Sequence, residues 1–548
     1  MLSVPYRRFF FGLKTWVGAL LALTAGASSA GNPHAAYYAA DNDKILWFIL
    51  ITDLHIGTRG SQDANNLTWV VTAGKDVVNP EFIVATGDLT DSTAGNIFGY
   101  PNGPYQSEWN EYKAILAGRV DATNFYDIPG NHDAYSDQSF AYYRANSIQG
   151  RATGNTQMSW VRQFPFGKYH FLGVNTADNS GDPFSISWPW GDYAGLDTNE
   201  LAYIQGELDL HSDADLTLVF GHHPVTDTGG STDTWLYYGA ETFIGLLDQY
   251  GASSYDYGHT HGYSEVLFNG DDYTGHMAGD GVAYLNVASL GKSSDNHFSV
   301  IAIDCNGLST KTQAIASWPL VLITAPVNHD LGGVPNPQAY HVPVAPNNPI
   351  RALVFDSGTI SQVRYRIDGA APWHPMQPVA GNPRLWEATW DNSGMTGGTH
   401  TIQVEAAGSS VRSDTITVYV DPALSDADGD GIPDWWENLY GGTNLFAGGA
   451  SDYDRDGATD SDEHVADTNP TNRASLLKLG VLSSQTPEFS IWWPSATSRF
   501  YSVFKSADLM EWWPLTNLYW GDASGTNIYH DPHATNRASF YRVEVHKP

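Results

Sequence analysis

Cysteine is nearly absent from this chain, in which Cys305 is the single example among 548 residues. One cysteine cannot form an intramolecular disulfide, so the chain is not a disulfide-stapled scaffold and must be stabilised by hydrophobic cores. Cys305 stands in SVIAIDCNG, where an apolar run meets a turn. A small residue at the end of a strand explains this position better than a reactive thiol does.

Basic residues are also scarce. Lys and Arg number 27 against 60 Asp and Glu, which gives a formal net charge of −33 at pH 7. This charge repels nucleic-acid phosphates and anionic membrane surfaces, and it attracts cations. Nucleic-acid binding by charge is therefore not expected, and metal ions are favoured as partners.

Long apolar runs are missing beyond the N-terminus. The first thirty residues contain three basic residues and then an apolar run over 16–25. Small residues follow at Ser28 and Ala30, the positions that a signal peptidase recognises before its cleavage site. A run of about ten residues is shorter than the ~20 that a bilayer core needs. We predict a signal peptide over 1–30, an exported protein (secreted, periplasmic or cell-surface) and no transmembrane span in the mature chain. RRFFFGLK also fits a twin-arginine signal, so the Sec and twin-arginine routes both stay open.

The chain is too long for one hydrophobic core. The pattern of apolar and polar residues changes along its length, which predicts several domains. Over 31–316, apolar runs alternate with helix-compatible stretches, which is typical of an α/β domain. Over 317–422, short alternating runs such as IRALVFD and SQVRYRIDG predict an immunoglobulin-like β-sandwich. An acidic segment follows over 423–472. Aromatic and β-branched residues over 473–548 predict a small C-terminal β domain.

Five short motifs rich in His and Asp follow successive predicted strands of the α/β region: TDLHIG, TGDLTD, PGNHD, FGHHP and GHTH. Side chains two residues apart at a strand end point to the same side, so Asp-x-His and His-x-His each offer two neighbouring ligands. Imidazoles mixed with carboxylate and amide oxygens suit Fe, Mn or Zn better than Ca or Mg. Any one motif arises by chance on a surface. The five in order predict a transition-metal site at the strand ends.

The motifs resemble those of the calcineurin-like metallophosphoesterases, which carry Asp-x-His, Gly-Asp-x-x-Asp, Gly-Asn-His-Asp/Glu, Gly-His and Gly-His-x-His, over roughly residues 45–305. The resemblance implies a four-layer sandwich, with two β-sheets between helices and two metal ions at its edge. The ligands that it implies are Asp53, His55, Asp88 and His261 for one ion, and Asp88, Asn131, His222 and His259 for the other. Asp88 would bridge the two ions, and His223 stays open as an alternative to His222.

The same resemblance implies an enzyme that hydrolyses phosphomonoesters or phosphodiesters by attack of a metal-bridging hydroxide. His132 is expected to face the leaving oxygen, while Asp133 either orients and charges the His132 ring or caps a helix. Asp91 is expected to support a ligand or shape a turn rather than bind metal. The alternative function is a non-catalytic surface binding or adhesion protein with a metal-binding phosphoesterase-like domain. The complete set of motif residues favours the enzyme.

Two acidic segments, DADGDGIPDWWE and DYDRDGATDSDE, share the register of the Asp-x-Asp-x-Asp-Gly calcium loop. In such a loop, carboxylates and one backbone carbonyl surround a single Ca²⁺. The predicted ligands are Asp426, Asp428, Asp430, Ile432, Asp434 and Glu437 in the first loop, and Asp452, Asp454, Asp456, Ala458, Asp460 and Glu463 in the second.

The pair resembles dockerin or thrombospondin type 3 repeats more than a sensor EF-hand, because Pro433 and Thr459 stand where EF-hands usually carry an aliphatic residue. We expect bound Ca²⁺ to stiffen this segment rather than to signal. A solvated acidic linker is the alternative.

Paired tryptophans mark the C-terminal modules, at 435–436, 492–493 and 512–513. Such pairs build either a platform that contacts a polysaccharide or a cell surface, or the core of a small β module. Core packing is the favoured interpretation.

Overall fold

The computed structural model describes strand β1 (Arg7–Gly12) and most of the chain from residue 45 onward. The described ranges are 45–58, 62–93, 103–177, 194–225, 236–267, 282–292, 295–304, 306–331, 334–336, 338–425, 430–440, 451–483, 489–497, 499–507, 509–510, 512–522, 524–532 and 539–546. Cys305, Asp426 and Asp428 therefore lie outside the described residues, as does most of the predicted signal peptide. Cleavage after Ala30 would remove β1, and the signal peptide stays a prediction.

Eleven strands build the two sheets of the α/β domain. They are β2 (Ile45–Ile51), β3 (Ile83–Thr86), β4 (Phe125–Ile128), β5 (Met158–Phe164), β6 (Gly167–Gly173), β7 (Leu216–Phe220), β8 (Ser254–Tyr257), β9 (Ser264–Leu267), β10 (Ala283–Asn286), β11 (His297–Asp304) and β12 (Gly307–Ala314). One sheet has the order β12-β11-β2-β3-β4 and the other β5-β6-β7-β8-β10-β9. Strands β2, β3 and β4 are parallel, as are β6, β7, β8 and β10.

Helices cover the outer face of each sheet. They are α1 (Asp63–Trp69), a π-helical turn (Val70–Gly74), α2 (Lys75–Val78), α3 (Gln106–Leu116), α4 (Asn131–Ala134), α5 (Ala141–Asn146), α6 (Ile148–Thr153), α7 (Thr198–Leu210) and α8 (Ala240–Gln249). Helix α7 begins with a capping box, in which Asp197 and Glu200 satisfy each other's backbone N–H groups.

Alternation along the strands produces the four layers that the sequence predicts. Phe48 of β2 packs with Phe220 of β7 in the core between the two sheets. Its neighbour Ile49 points the other way and packs under α1 and α3. On the far side, Val219 packs with Ile204 of α7. Because β2 is covered on both faces, it consists of an almost unbroken apolar run, ILWFILI.

A β-sandwich follows the α/β domain. Its strands are β13 (Leu320–Ala325), β14 (Asp330–Leu331), β15 (Val334–Pro335), β16 (Val342–Pro343), β17 (Asn348–Phe355), β18 (Gln362–Ile367), β19 (His374–Pro375), β20 (Gln377–Val379), β21 (Asn382–Trp390), β22 (Gly398–Ala407) and β23 (Val411–Asp421). Sheets β13-β17-β21-β20 and β16-β23-β22-β18-β19 enclose one core. The predicted immunoglobulin-like sandwich is confirmed.

The sandwich packs directly on the α/β domain. Leu322 of β13 and Phe355 of β17 belong to the same apolar cluster as Ile49 of β2. A buried ion pair also joins the two units, since Arg351 Nε lies 3.1 Å from Asp304 Oδ2 and both side chains are at most 1% exposed.

The C-terminal region contains a 3₁₀ turn (Pro422–Leu424), two short helices and a second set of sheets. The helices are α9 (Asp434–Tyr440) and α10 (Asp460–Ala466), and the strands are β24 (Gly480–Ser483), β25 (Phe489–Pro494), β26 (Phe500–Ser506), β27 (Trp513–Trp520), β28 (Thr526–Asp531) and β29 (Phe540–His546). The sheets are β1-β29-β26-β27 and β24-β25-β28. Trp436 and Trp493 are fully buried, in agreement with core packing, whereas Trp513 is about half exposed at 51%.

Within the described residues, no helix combines the length and the apolar character needed to cross a membrane.

Candidate metal centre

The five His- and Asp-rich motifs meet at one edge of the α/β domain. Each follows the carboxyl end of a parallel strand: β2, β3 and β4 in one sheet, and β7 and β8 in the other. Parallel strands end at the same edge of their sheet, so residues distant in sequence converge there. The two sheets face each other, and together they supply donors from both sides.

The backbone at this edge adopts a left-handed conformation that non-glycine residues rarely use. Positive φ angles, between 46° and 68°, occur at Asp53, His55, Asp88, His259 and His261. Each such residue costs on the order of 1–3 kcal/mol and persists only where the surrounding structure holds it. Strain of this kind clusters at functional sites.

Two glycines allow the loops to approach closely. A Cβ atom at Gly130 would lie 2.2 Å from the backbone nitrogen of Asp88, and one at Gly258 would lie 1.8 Å from Thr52 Oγ1. A side chain at either position would separate the motifs, so glycine is required here by packing rather than by a positive φ.

The first group of donors contains Asp53, His55, Asp88 and His261. The Nε2 atoms of His55 and His261 lie 3.3 Å apart. His55 Nε2 lies 3.4 Å from Asp88 Oδ2, and His261 Nε2 lies 3.5 Å from Asp53 Oδ1. Donors about 2.0–2.2 Å from one ion are about 3.0–3.5 Å from each other. These spacings match that requirement.

The second group contains Asp88, Asn131, His222 and His259. Asn131 Oδ1 lies 3.1 Å from both His222 Nε2 and His259 Nδ1. His222 Nε2 lies 3.3 Å from Asp88 Oδ1. Because Asp88 directs Oδ2 to the first group and Oδ1 to the second, its position is that of a bridging carboxylate. The tyrosine Tyr135 accepts from Asn131 Nδ2 at 3.2 Å, which turns Oδ1 toward the site.

The charges of the two groups compensate each other. Burial alone would raise the pKa of Asp53, but the hydrogen bond from His261 and the charges of His222 and His261 lower it to about 2. Burial alone would lower the pKa of His222, but Asp88 raises it to about 9. Imidazoles and carboxylates thus hold one another before any cation enters.

His132 lies beside the donors with a fixed ring orientation. Its Nδ1 lies 2.7 Å from the carbonyl oxygen of Asp91. A carbonyl only accepts, so Nδ1 carries the hydrogen and Nε2 is left with its lone pair, 3.8 Å from Asp88 Oδ2. Burial lowers the pKa of His132 to about 3, and the charge of Lys292 acts in the same direction.

Asp133 does not orient the His132 ring. Its carboxylate accepts hydrogen bonds from the backbone nitrogens of Gly130, Leu89 and Thr90 and from the Thr90 hydroxyl, at 2.9–3.0 Å. The contact with Gly130 caps helix α4, which was the second expectation for this residue. Asp133 therefore ties the loop after β3 to the loop after β4.

Asp91 performs the orienting role expected of Asp133. Its Oδ1 lies 2.9 Å from His55 Nδ1, so that the carboxylate accepts from this nitrogen and leaves Nε2 for a metal. Its backbone carbonyl accepts from His132 at the same time. One residue thus sets two rings, in agreement with the expectation that Asp91 supports a ligand.

His222 directs Nε2 at the second group, 3.1 Å from Asn131 Oδ1 and 3.3 Å from Asp88 Oδ1. Thr176 Oγ1 accepts from the backbone nitrogens of both histidines at 3.0 Å and lies 3.0 Å from His223 Nδ1. His223 has donor spacing in common with His222 and His259, so it stays open as an alternative ligand.

Thr176 and Lys292 were missed at the sequence level. Thr176 follows β6 in the run GVNTAD, a polar stretch after an apolar strand, and this position was its only signal in the sequence. Lys292 stands in a loop after β10, and no short motif marks it.

The two acidic segments share one local geometry. Asp430 Oδ1 accepts from the nitrogen of Ile432 at 2.8 Å, and Asp456 Oδ1 accepts from that of Ala458 at 2.8 Å. A short helix then begins at Asp434 in the first segment and at Asp460 in the second. The two segments therefore repeat in structure as well as in sequence.

In the second segment, buried carboxylate oxygens turn inward without a hydrogen-bond partner. They belong to Asp454, Asp456, Asp460 and Glu463. Asp460 and Glu463 are fully buried. Burial and the charges of Asp454 and Asp456 raise the pKa of Glu463 to about 8.

The fold and the paired donor groups are those of a metallophosphoesterase-like domain, and comparison with known families agrees. The family model described as calcineurin-like phosphoesterase matches residues 46–263, and the model described as bacterial Ig domain matches residues 319–404. The chain therefore contains a calcineurin-like phosphoesterase domain followed by a bacterial Ig domain.

Curated relatives match parts of the chain. Transmembrane protein 62 of Mus musculus is 28% identical over 404 residues, which cover 70% of this chain and 56% of the mouse protein. An Arabidopsis thaliana protein named as a metallophosphoesterase is 26% identical over 155 residues, which cover 26% of this chain and 20% of the plant protein. The chain thus spans about half or less of the length of these relatives.

Solved structures align with about half of the chain. A dimetal phosphatase from Danio rerio aligns with a TM-score of 0.37 and 14% identity, covering 50% of this chain and 97% of its own. A purple acid phosphatase from yellow lupin aligns with a TM-score of 0.34 and 13% identity, covering 49% of this chain and 51% of its own.

Proposed function

We propose that this chain is an exported phosphoesterase that hydrolyses phosphomonoesters or phosphodiesters at a dinuclear metal centre. The observation that carries the proposal is the pair of donor groups that share Asp88, with one carboxylate oxygen directed to each. A single metal site would need only one of these groups. Export rests on the composition of residues 1–30 and is supported by the bacterial Ig domain.

The donors fit two transition metal ions. The proposed ligands are Asp53, His55, Asp88 and His261 for one ion, and Asp88, Asn131, His222 and His259 for the other. Imidazole nitrogens mixed with carboxylate and amide oxygens favour Fe, Mn or Zn. When bound, two such ions lower the pKa of a shared water and neutralise phosphoryl oxygens during in-line attack.

The chain's own residues place the substrate and its protons. His132 presents Nε2 next to Asp88 because the Asp91 carbonyl holds Nδ1. We expect this nitrogen to face the leaving oxygen, which it can protonate once it has itself taken up a proton. Lys292 supplies a positive charge near His132 and His261, which complements an anionic phosphate in an otherwise acidic chain.

The acidic segments are proposed to bind Ca²⁺. Unpartnered oxygens on buried Asp460 and Glu463 support this, because a buried carboxylate without a partner is costly and a cation removes that cost. The ligand positions Asp426 and Asp428 lie outside the described residues, so the proposal for the first loop rests on its shared geometry with the second. Contact of the C-terminal modules with a polysaccharide or cell surface stays a prediction.

Hydrolysis assays test the proposed activity. Mono- and bis-p-nitrophenyl phosphate are supplied to the protein with Mn, Fe, Zn or Ca, each separately. We expect about two transition metal ions per phosphoesterase centre and activity with a transition metal but not with Ca alone. Asp88→Asn should abolish hydrolysis of both esters, while the exposed helical control Asp76→Asn should leave it unchanged. Full activity in Asp88→Asn would refute the mechanism.

Limited proteolysis tests the calcium proposal. Chelation followed by Ca²⁺ titration should increase the protease resistance of residues 423–472. Equal resistance with and without Ca²⁺ would favour a solvated acidic linker.

A further inference from the structure

A second cluster of metal-binding side chains lies on the outer face of the six-stranded sheet. His170 of β6 is fully buried, and α7 covers it with Glu207 and with His211, which directly follows the helix. One donor atom from each of the three side chains lies within 4.8 Å of the others. This cluster shares no residue with the dinuclear centre.

The spacing of Glu207 and His211 suits a common ion. Residues four apart lie on one face of a helix, and here Glu207 Oε2 is 3.8 Å from His211 Nε2. The ring centroids of His170 and His211 are 4.5 Å apart. Donors to one zinc ion are about 3.4 Å apart, so small side-chain rotations close the site. Both helix side chains retain about 20% exposure, which leaves an open position for water.

One ring nitrogen of His170 has a hydrogen-bond partner at normal distance, and the other has only a long contact. Its Nε2 lies 3.0 Å from Ser159 Oγ, while Nδ1 has only a long contact of 3.5 Å with Thr217 Oγ1. A metal-bound histidine usually donates its other ring N–H to such a partner.

We propose that His170, Glu207 and His211 bind one Zn²⁺ in a mononuclear site with water as the fourth ligand. Two imidazoles, one carboxylate and an open position are a typical donor set for this ion. His170 pairs with Thr217 across the sheet, and His222 lies five residues further along the chain, just beyond the end of β7. At about 3.3 Å per residue the two centres are about 16 Å apart, so each binds independently. The ion would fasten the end of α7 to β6.

Metal titration of the full-length protein tests the site. Co²⁺ is added as a spectroscopic substitute for Zn²⁺, with Ca²⁺ in excess to occupy the acidic loops. Wild type should bind one more Co²⁺ than His211→Ala or Glu207→Gln and should show the visible absorption of a four-coordinate ion, which both variants lose. Glu241→Gln on α8 is the matched control and should retain it.

A milder variant tests metal binding separately from folding, because it keeps all three ligands. Ser159→Ala keeps all three ligands but removes the partner of His170, so the affinity of this one ion should fall about 10-fold to 100-fold. Ester hydrolysis should be unchanged in all four variants, since none touches the dinuclear centre. Equal Co²⁺ stoichiometry and equal absorption in wild type and His211→Ala would overturn the proposal, whether or not the protein is a phosphoesterase.

Discussion

The dinuclear centre and the second acidic loop both gather carboxylates away from water, but they balance charge in opposite ways. At the dinuclear centre, imidazoles lower the pKa of Asp53 to about 2. In the loop, neighbouring carboxylates and burial raise the pKa of Glu463 to about 8. The first site contains its own counter-charges, and the second would obtain them from the proposed Ca²⁺.

This difference predicts how the shape of each site responds when its metal ions are removed. The donors at the dinuclear centre contact one another at 3.1–3.5 Å and stand on the ends of buried strands. The loop leaves oxygens of Asp460 and Glu463 without partners. We therefore expect the mixed-charge site to keep its shape when metal is removed and the all-anionic loop to depend on a cation.

Hydrogen exchange under selective chelation provides the strongest test of this contrast. Removing Ca²⁺ should increase amide exchange over 451–467, by about a hundredfold relative to a Ca²⁺ concentration of about 100 times the Kd. Removing only transition metals should abolish hydrolysis but leave exchange at the ends of β2, β3 and β7 nearly unchanged. Equal loss of protection at both sites would show that the dinuclear centre is not preorganised.

Asp91→Asn tests how firmly the dinuclear centre holds its own ligands. The substitution replaces the carboxylate that accepts from His55 Nδ1 with a weaker neutral acceptor. We expect the metal concentration for half-maximal hydrolysis to rise about 10-fold to 100-fold. Asp76→Asn, with the same loss of charge on an exposed helix position, should not change it. An unchanged metal requirement in Asp91→Asn would mean that the orienting contact is dispensable.

Glu463→Gln makes the equivalent change in the acidic loop. It removes a ligand but also a carboxyl group whose ionisation is penalised by burial and by neighbouring carboxylates, so Ca²⁺ affinity should fall about tenfold or more while the calcium-free protein is not destabilised. Calcium titration followed by calorimetry measures both effects. Asp462→Asn, the adjacent residue outside the ligand register, is the matched control because Asn can still accept from Thr459. A larger loss of affinity in the control would place the ion elsewhere.

Local patterns and the family resemblance predicted which side chains gather at this edge of the domain, but not the contacts that support them. His259 and His261 were identified because side chains two apart at a strand end share a side, and the topology then determined what they meet. Asp133 was assigned to the His132 ring as its neighbour in sequence. In the structure, α4 turns Asp133 toward Gly130, and Asp91, from the loop after β3, reaches the ring instead. Contacts between loops depend on tertiary packing, which adjacency does not encode.

The cluster at His170, Glu207 and His211 illustrates the same limit. His170 precedes Glu207 by 37 residues, and no short motif contains all three side chains. Sequence periodicity shows that His170 shares a face with Leu172, which predicts a core position rather than a ligand. Only the packing of α7 over β6 brings the three side chains together.

The pH dependence of the calcium-free protein gives the smallest expected effect. Glu463 has a pKa of about 8 in the fold against a reference of 4.5, so between these values the folded state holds a proton that the unfolded chain has released. Stability without Ca²⁺ should therefore decrease as pH rises from about 4.5 to 8. Glu463→Gln lacks the group and should be flatter over this range, exceeding wild type in Tm at pH 8 but not at pH 5. With saturating Ca²⁺ the trend should reverse, because protons then compete with the ion for Glu463. A wild-type Tm that rises with pH in the absence of Ca²⁺ would contradict the proposed uncompensated charge.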